Sequence, residues 1–296
     1  MTPMTGRNWI VKSHALGNDY LVVDPTALSF ALTPEAIRRI CDRHLGAGSD
    51  GILALVPPMR ADFGLRIHNP DGSEAEKSGN GLRIFAKFLY DHGYARQPAF
   101  TVDTPGGVAK IELHLKDGHV DQMTVDVGRA TFQSTEIPVT GPPREVVDEI
   151  IEAGDQQLEI TAVSVGNPHC VVFVPDLNLI HLHQLGPLLE THPMFPNRTN
   201  VQFAQVVARD RVQILIWERG AGETMASGTS ASAVAAASVR EGMTDRQLTI
   251  SAPGGDLRIT VGEDWSIRMT GPASEVYSGV LSADLVAALT AMPGAR

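Results

Sequence analysis

The sequence predicts an α+β protein with two similar domains. Two short cores resemble each other, Lys-Ser-Gly-Asn-Gly at 77–81 and Ala-Ser-Gly-Thr-Ser at 226–230, and each opens an apolar stretch with helical spacing. After each helix comes a strand-like run and then a Pro-Gly-Gly turn, at 105–107 and at 253–255. A strand also precedes each core, so the two halves share one order of elements and indicate an internal repeat.

The repeat also predicts the domain limits. We expect one domain from residues 1–127 together with about 273–296, and a second from 128–272. Short alternating runs indicate many strands, and helices are expected at 33–44, 79–92, 229–241 and in the tail after residue 281. Two domains of this kind would face each other across a cleft, which is a favoured place for a small-ligand site.

Composition narrows the classes of function. At 296 residues and 43% hydrophobic, the chain can bury a sizeable core, and a net charge of −10 argues against a nucleic-acid partner. The N-terminal stretch lacks the pattern of a secretory signal, and no run approaches the roughly 20 apolar residues of a membrane span. We therefore expect a cytoplasmic protein with no membrane partner. Cys41 and Cys170 form no disulfide framework or metal motif and are interpreted as core residues.

The sequence predicts that the functional groups of the site lie at the two helix starts. Each offers backbone N–H groups without intrahelical partners and the positive end of a helix dipole, which would hold a carboxylate or phosphate. Ser78 and Ser227 occupy the positions where a two-sided proton transfer to one carbon needs an acid and a base. The alternative is that both cores are glycine-rich caps with no further role.

Seven ordered motifs resemble those of the diaminopimelate epimerase family, and the resemblance runs from about residue 14 to residue 279. They are His-Ala-Leu-Gly-Asn-Asp-Tyr at 14–20, Cys-Asp-Arg-His-Leu-Gly at 41–46, Asn-Pro-Asp-Gly-Ser-Glu at 69–74, Gly-Asn-Pro-His-Cys at 166–170, Phe-Pro-Asn-Arg-Thr-Asn-Val at 195–201, Glu-Arg-Gly-Ala-Gly-Glu-Thr at 218–224 and Thr-Gly-Pro-Ala at 270–273.

This resemblance implies two mirror-related domains, each a mixed barrel-like sheet around a central helix. It implies a cofactor-independent isomerase that interconverts LL- and meso-diaminopimelate for lysine and cell-wall precursor synthesis, using no metal. A homodimer is also implied, since family members are often dimeric. The matched substrate-binding positions are Asn18, Asn69, Gly79, Asn80, Asn167, Asn200, Glu218, Arg219, Gly228 and Thr229. His169 and Glu218 match positions near the catalytic pair.

The residue chemistry fits those roles. Glu218 can accept hydrogen bonds from an ammonium group, and Arg219 can grip a carboxylate with its fork of donors. Asparagine amides supply both donors and acceptors for a second amino-acid end, which favours a dicarboxylic amino acid over an aliphatic one such as proline. The alternative for each asparagine is a turn or cap residue, and for His169 a buried structural histidine.

The chain departs from the family at the catalytic pair, where Ser78 and Ser227 replace two cysteines. A thiol has a pKa of about 8.5 that a helix N-terminus lowers, whereas a serine needs an adjacent base. His169 is the one matched residue that could act as that base. Ser230 also replaces a usual glycine, Ser232 replaces a common cysteine, and Lys77 adds a cation beside Ser78.

Three explanations stay open at this point. The chain is a natural paralogue with altered chemistry, a protein that binds substrate without turnover, or an epimerase whose serines were introduced to trap substrate. An isomerase of another carboxylate that uses a single base is a further alternative.

Overall fold

The computed structural model describes residues 6–292, so the outermost parts of the expected first domain, 1–5 and 293–296, lie outside the described residues. The chain divides into two compact units. The first extends to Val125 and resumes at Gly271, and the second is Asp126–Thr270. None of the helices in the described part is both long and apolar enough to cross a membrane.

Strands greatly outnumber helices in both units. The helices are α1 (Pro34–Cys41), α2 (Gly79–Asp91), α3 (Leu182–Glu190), α4 (Gly228–Arg240) and α5 (Ala283–Thr290). The strands are β1 (Trp9–Ala15), β2 (Asn18–Val23), β3 (Ile52–Val56), β4 (Phe63–His68), β5 (Glu74–Ala75), β6 (Ala99–Thr104), β7 (Gly107–Lys116), β8 (His119–Arg129), β9 (Glu149–Ala153), β10 (Gln156–Ser164), β11 (Pro168–Phe173), β12 (Asn200–Ala208), β13 (Arg211–Glu218), β14 (Gly222–Glu223), β15 (Gln247–Ala252), β16 (Gly255–Val261), β17 (Ser266–Gly271) and β18 (Ser274–Val280).

The first unit is a mixed sheet around α2. Its strand order is β18, β1, β2, β3, β4, β6, β7 and β8, with parallel pairs at β2–β3 and β4–β6. Helix α2 packs on β1, β2 and β18 and also on β7, which lies near the opposite edge. The sheet therefore curls around the helix, whose apolar side chains such as Phe85 and Leu89 are fully buried.

The second unit repeats this plan around α4. Its strand order is β9, β10, β11, β12, β13, β15 and β16, followed by β17, with parallel pairs at β11–β12 and β13–β15. Helix α4 packs on β10, β11, β12, β13, β15 and β16. Its interior is almost entirely alanine and serine, so the helix backbone lies close to the surrounding strands.

Further helices cover the outer faces of the sheets. In the first unit, α1 and α5 bury Ile37, Ile40 and Leu289 in one cluster with strand residues. The C-terminal helix expected from the sequence thus packs on its own unit. In the second unit, α3 packs on β9, β12 and β13 and buries Leu182, Leu185 and Leu189 in the outer core.

The prediction of an α+β protein with two similar domains is confirmed. Helix α3 was not predicted, because Gly186 and Pro187 lie in its middle and normally indicate a turn. Gly186 is required there, since a Cβ at this position would lie 2.7 Å from the Trp217 ring. Packing against an aromatic ring therefore overrides the local preference.

Glu241 caps the C-terminal end of α4 in a half-buried position. Its carboxylate accepts a 2.6 Å hydrogen bond from the Thr161 hydroxyl. Burial raises the pKa of Glu241 to about 7, and the nearby carboxylates of Asp148 and Glu159 act in the same direction. The negative end of the helix dipole also opposes a charge at this end of α4.

We predict that Glu241→Gln makes stability less dependent on pH. Between pH 4.5 and about 7 the folded chain keeps a proton that the unfolded chain has lost, so stability falls as pH rises through this window. The variant should gain about 1–2 kcal/mol over the wild type at pH 8 and nothing at pH 4.5. Urea unfolding at both pH values measures this difference. Glu263→Gln, an exposed change in the same unit, serves as control, and an equal gain at both pH values would contradict the prediction.

Candidate active site

Ser78 is the N-cap of α2. Its backbone is extended, with φ −142°, and its Oγ accepts a 3.0 Å hydrogen bond from the Gly81 N–H. The hydroxyl therefore satisfies one of the four N–H groups that a helix start leaves unpaired. The first turn, Gly79 and Asn80, follows directly from this cap. The core that the sequence predicts as a helix start is thus a capped helix N-terminus.

A line of amide side chains leads from this turn to strand β2. The Asn80 Nδ2 donates to Asn18 Oδ1 at 3.1 Å, and the Asn18 Nδ2 donates to Asp50 Oδ2 at 3.0 Å. Arg43 holds the other oxygen of Asp50 at 2.7 Å. The structure therefore brings together Asn18, Gly79 and Asn80, three of the predicted substrate-binding residues, beside Ser78.

Arg83 lies beneath the first turn of α2, and its role was not predicted from the sequence. It is fully buried and donates to the Gly79 carbonyl at 3.3 Å and to the Asn80 Oδ1 at 2.8 Å. Burial lowers the pKa of its guanidinium to about 9, so the group stays charged at pH 7. A positive charge here adds to the helix dipole and favours an anion at this helix start. The feature of the sequence that could have indicated this role is an arginine among the apolar residues of α2.

Asn69 forms a turn after β4. Its Nδ2 donates to the Ser73 hydroxyl at 2.9 Å, and its backbone N–H donates to the Ser73 carbonyl at 2.8 Å. Gly72 completes the turn with φ +88°, and a Cβ there would lie 2.8 Å from Pro34. The turn role that the sequence left open is therefore present, and a contact of Asn69 with substrate stays a prediction.

In the second unit, Ser227 is the N-cap of α4 with nearly the same backbone angles as Ser78. Its Oγ accepts a hydrogen bond of 3.4 Å from the Ser230 N–H and lies 3.4 Å from the Thr229 hydroxyl. Five residues after the cap, at the position that matches Arg83, Ser232 donates to the Gly228 carbonyl at 2.8 Å. The two helix starts share one geometry but differ in charge.

His169 lies fully buried where β11 begins. Its Nε2 lies 3.0 Å from Asn167 Oδ1, and its Nδ1 lies 3.3 Å from Gln202 Oε1. Burial lowers the pKa of the imidazole to about 3, so the ring is neutral at pH 7 and a weak base. These contacts correspond to the structural histidine that the sequence left as an alternative, and they give no support to His169 as the base for a serine.

Asn200 joins two loops of the predicted site. Its Nδ2 donates to the Pro168 carbonyl at 2.8 Å, and its Oδ1 accepts from the Arg219 N–H at 3.0 Å. Only 5% of the residue is exposed. The amide therefore fixes the Gly-Asn-Pro-His turn against the turn that carries Glu218 and Arg219.

Glu218 and Arg219 lie at the end of β13. Glu218 is half-buried and pairs with Gly222 across a tight turn, whereas Arg219 is exposed and donates to the Asn197 carbonyl at 3.2 Å. The structure thus brings Asn200, Glu218 and Arg219 into one group in the second unit, with His169 and Asn167 attached to it through Pro168.

Glu190, at the end of α3, holds the turn that follows Glu218 and Arg219. Its role was not predicted from the sequence. Its carboxylate accepts from the Trp217 indole at 2.7 Å and from the Gly220 N–H at 2.9 Å, and Arg198 approaches to 3.5 Å. Glu190 is 7% exposed. A buried carboxylate with several donors is a fixed acceptor. No sequence signal marked it, because α3 itself was not predicted.

The described residues contain no group of three or more His, Cys, Asp or Glu side chains that could hold a metal ion. Each unit contains a capped helix N-terminus and a set of asparagine amides, and the second unit also contains the Glu218 carboxylate and the Arg219 guanidinium. Such a set can recognise a carboxylate and an ammonium group, the two ends of an amino acid.

The chain is similar to known proteins in both fold and sequence. A probable proline racemase from Agrobacterium radiobacter K84, solved with bound carbonate, has the same fold, with a TM-score of 0.70, 17% identity and 93% of each chain covered. Among curated proteins, diaminopimelate epimerase 2 of Nostoc sp. is 47% identical over 277 residues, which cover 93% of this chain and 96% of that protein. Diaminopimelate epimerase of Pelotomaculum thermopropionicum is 46% identical over 272 residues, covering 90% and 96%.

The chain therefore shares its fold with the probable proline racemase, and the relatives that are more similar in sequence are diaminopimelate epimerases. The sequence model of diaminopimelate epimerase matches residues 10–133 and 161–276. This chain belongs to the diaminopimelate epimerase family.

We predict that Glu190→Gln destabilises the protein by about 1–3 kcal/mol, because one carbonyl oxygen cannot replace two carboxylate oxygens and a buried N–H loses its acceptor. Urea unfolding measures the loss, and the fluorescence of Trp217 should shift in the folded variant. Glu145→Gln removes an exposed ion pair with Arg240 and should change stability by less than about 1 kcal/mol. Equal effects of the two substitutions would contradict a bracing role for Glu190.

Proposed function

We propose that this protein is an isomerase that inverts the α-carbon of diaminopimelate and so interconverts its LL and meso forms. Membership of the family supports the reaction type. The observation that carries the proposal is the pair of matched helix starts, capped by Ser78 and Ser227 at the two family catalytic positions. The reaction would serve lysine and cell-wall precursor synthesis.

In this proposal the first turns of α2 and α4 hold the α-carboxylate through the backbone amides of Gly79, Asn80, Gly228 and Thr229. Arg83, fully buried under the first turn of α2, adds positive charge at that end. Charge that develops at the α-carbon during proton removal spreads into the carboxylate, where these donors stabilise it. Donors already fixed by the fold need no reorganisation during the reaction.

The remaining polar residues would recognise the two amino-acid ends. Glu218 accepts hydrogen bonds from an ammonium group, and Arg219 grips the distal carboxylate. Asn18, Asn69, Asn167 and Asn200 supply amide donors and acceptors. Asn18 and Asn200 are also held by other protein groups, so their amides are fixed before a ligand binds.

The protons would leave and arrive through Ser78 and Ser227 on opposite faces of the α-carbon. Each Oγ accepts a backbone N–H at a helix start, which stabilises negative charge on oxygen. A hydroxyl is nevertheless far less acidic than a thiol, and neutral His169, with a pKa of about 3, does little to activate it. Turnover should therefore be slow compared with that of a cysteine pair.

A second candidate is a protein that binds diaminopimelate without turning it over. The observation that favours it is the same pair of serines, since each hydroxyl already serves as a helix cap. Both candidates use the same recognition residues and differ only in whether the α-proton moves.

Homodimer formation and a cytoplasmic compartment belong to the same proposal. The homodimer follows from the family resemblance and is open to analytical ultracentrifugation. Two buried thiols, Cys41 and Cys170, fit a reducing compartment. The acidic net charge of −10 supports a small-molecule substrate over nucleic acid.

We predict that incubation with LL-diaminopimelate in heavy water places deuterium at the α-carbon of the inverted centre, detected by mass spectrometry and NMR. Ser78→Ala should abolish this exchange. Ser282→Ala removes the matching cap hydroxyl of α5 and should cost a similar stability of about 1 kcal/mol while leaving exchange unchanged. Calorimetric binding without exchange would favour the second candidate, and neither binding nor exchange would contradict both.

We predict that the double variant Ser78→Cys, Ser227→Cys exchanges the α-proton at least about tenfold faster than the wild type, because a thiol near pKa 8.5 at a helix N-terminus yields thiolate at neutral pH. Exchange rates at equal substrate saturation measure this. A restored variant that binds diaminopimelate but gains no exchange would show that the serines are not what limits the chemistry.

A further inference from the structure

Arg83 and Ser232 occupy matching positions in α2 and α4, and they differ in charge. Each donates to the carbonyl of the first residue of its helix, Arg83 to Gly79 at 3.3 Å and Ser232 to Gly228 at 2.8 Å. Both side chains are 0% exposed. The same contact is therefore made by a buried cation in the first unit and by a neutral hydroxyl in the second.

The contacts of Arg83 fix its guanidinium without cancelling its charge. Its Nε donates to the Pro272 carbonyl at 3.2 Å, and one of its Nη atoms donates to Asn80 Oδ1 at 2.8 Å. These acceptors, like the Gly79 carbonyl, are neutral oxygens. Burial lowers the pKa of Arg83 to about 9, which leaves it charged at pH 7, and a buried charge is screened less than an exposed one.

The other charged groups around the start of α2 largely pair with one another. Arg43 lies 2.7 Å from both Asp19 and Asp50. Lys12 also pairs with Asp19. Lys77 precedes the cap and adds positive charge, but it is partly exposed, so solvent screens it. The remaining titratable side chains on β1, β7 and β18 are half-buried at His14 and exposed at Lys110, Glu112, His114, Lys116 and Glu275.

The strands packed on α4 provide no such excess of positive charge among the described residues. His169 on β11 is neutral at pH 7. Glu218 and Arg219, at the end of β13, carry opposite charges. The remaining charged side chains on these strands are exposed, and they are Glu159, Arg211, Asp256 and Arg258.

Two further differences between the helix starts act in the same direction as the charge of Arg83. Ser78 Oγ accepts the Gly81 N–H at 3.0 Å, whereas Ser227 Oγ accepts the Ser230 N–H at 3.4 Å and lies 3.4 Å from the Thr229 hydroxyl. A shorter hydrogen bond stabilises negative charge on its acceptor more strongly. Ser78 is half-buried, whereas Ser227 is 5% exposed, and burial disfavours a charged group.

We propose that Arg83 is a positioning residue that holds the first turn of α2 and makes position 78 the more acidic of the two proton-transfer positions. In the free protein, position 78 then carries negative charge more readily, and position 227 keeps its proton. The part of these positions in moving an α-proton rests on the proposed function, whereas their unequal acidity rests on the contacts of the two helix starts alone.

Single cysteines at the two positions test this acidity without a ligand. Full-length Ser78→Cys and Ser227→Cys are alkylated with iodoacetamide over a range of pH, and mass spectrometry locates the modified thiol. The midpoint of each pH–rate profile gives the pKa of that thiol, whatever its accessibility. It should lie at least about one pH unit lower at position 78 than at position 227. The native thiols Cys41 and Cys170 are buried, which raises the pKa of both and keeps them unreactive near neutral pH.

Substitutions at position 83 test the source of the difference. In the Ser78→Cys background, Arg83→Gln keeps hydrogen-bond donors but removes the charge. It should raise the midpoint by about one pH unit, so that alkylation at pH 7 slows about tenfold. Arg83→Lys keeps the charge and should preserve most of the difference.

Two matched substitutions serve as controls. In the Ser227→Cys background, Ser232→Ala removes the neutral contact that matches that of Arg83 and should leave the midpoint unchanged. In the Ser78→Cys background, Lys77→Met removes a charge that solvent screens and should shift the midpoint less than half as far as Arg83→Gln.

The pH dependence of α-proton exchange tests the consequence for the reaction. In the double variant Ser78→Cys, Ser227→Cys, exchange with LL-diaminopimelate should rise with pH through the midpoint measured for the thiol at position 78. Adding Arg83→Gln should move this rise about one pH unit higher, which a loss of stability alone would not do.

Equal midpoints at the two positions, or a lower one at position 227, would overturn the proposal, and this comparison needs no change at Arg83. A difference that persists in Arg83→Gln, or that Lys77→Met removes as fully, would overturn the role of Arg83. The expected midpoints together with no α-proton exchange in the double variant would support the role of Arg83 and contradict the proposed function instead.

Discussion

Each unit of this protein depends on one constraint, the unpaired N–H groups at the start of a central helix enclosed by a sheet. A helix start leaves four such groups, and leaving them buried without partners is costly. Ser78 and Ser227 satisfy one group each through their hydroxyls. Both helix starts have the same capped geometry, and the backbone amides at the starts of α2 and α4 are the ones proposed to hold the α-carboxylate. The structural requirement and the proposed binding site are the same set of atoms.

Around these helix starts, most residues matched to substrate binding also brace the protein. Asn18 connects Asn80 to Asp50, and Asn200 connects Pro168 to Arg219. A side chain held on one side by the fold loses little entropy when a ligand binds to its other side. A structural role of these asparagines in turns and braces is therefore compatible with a role in ligand binding.

The repeat in the sequence was enough to predict the two-unit fold, because core, helix and Pro-Gly-Gly turn recur with local signals that need no tertiary information. The motifs likewise located the helix starts and the Glu218–Arg219 turn. Arg83, Glu190 and Gln202 were missed because their importance comes from contacts with residues distant in the chain, and their identities fit ordinary helix or strand positions. Helix α3 was not predicted because Gly186 is required by close packing against the Trp217 ring, which local helix preference does not reveal.

The composition of α4 determines which positions of the second unit can change without disturbing the fold. Its buried positions hold only glycine, alanine, serine and one valine, whereas α2 accommodates phenylalanine, leucine and a buried arginine. Because longer side chains inside α4 would push the enclosing strands apart, its middle has little freedom to change size. New chemistry in the second unit must arise at the helix start or at the strand ends, while the first unit can also vary the helix interior. The two similar units therefore tolerate changes of side-chain size in their central helices to different degrees.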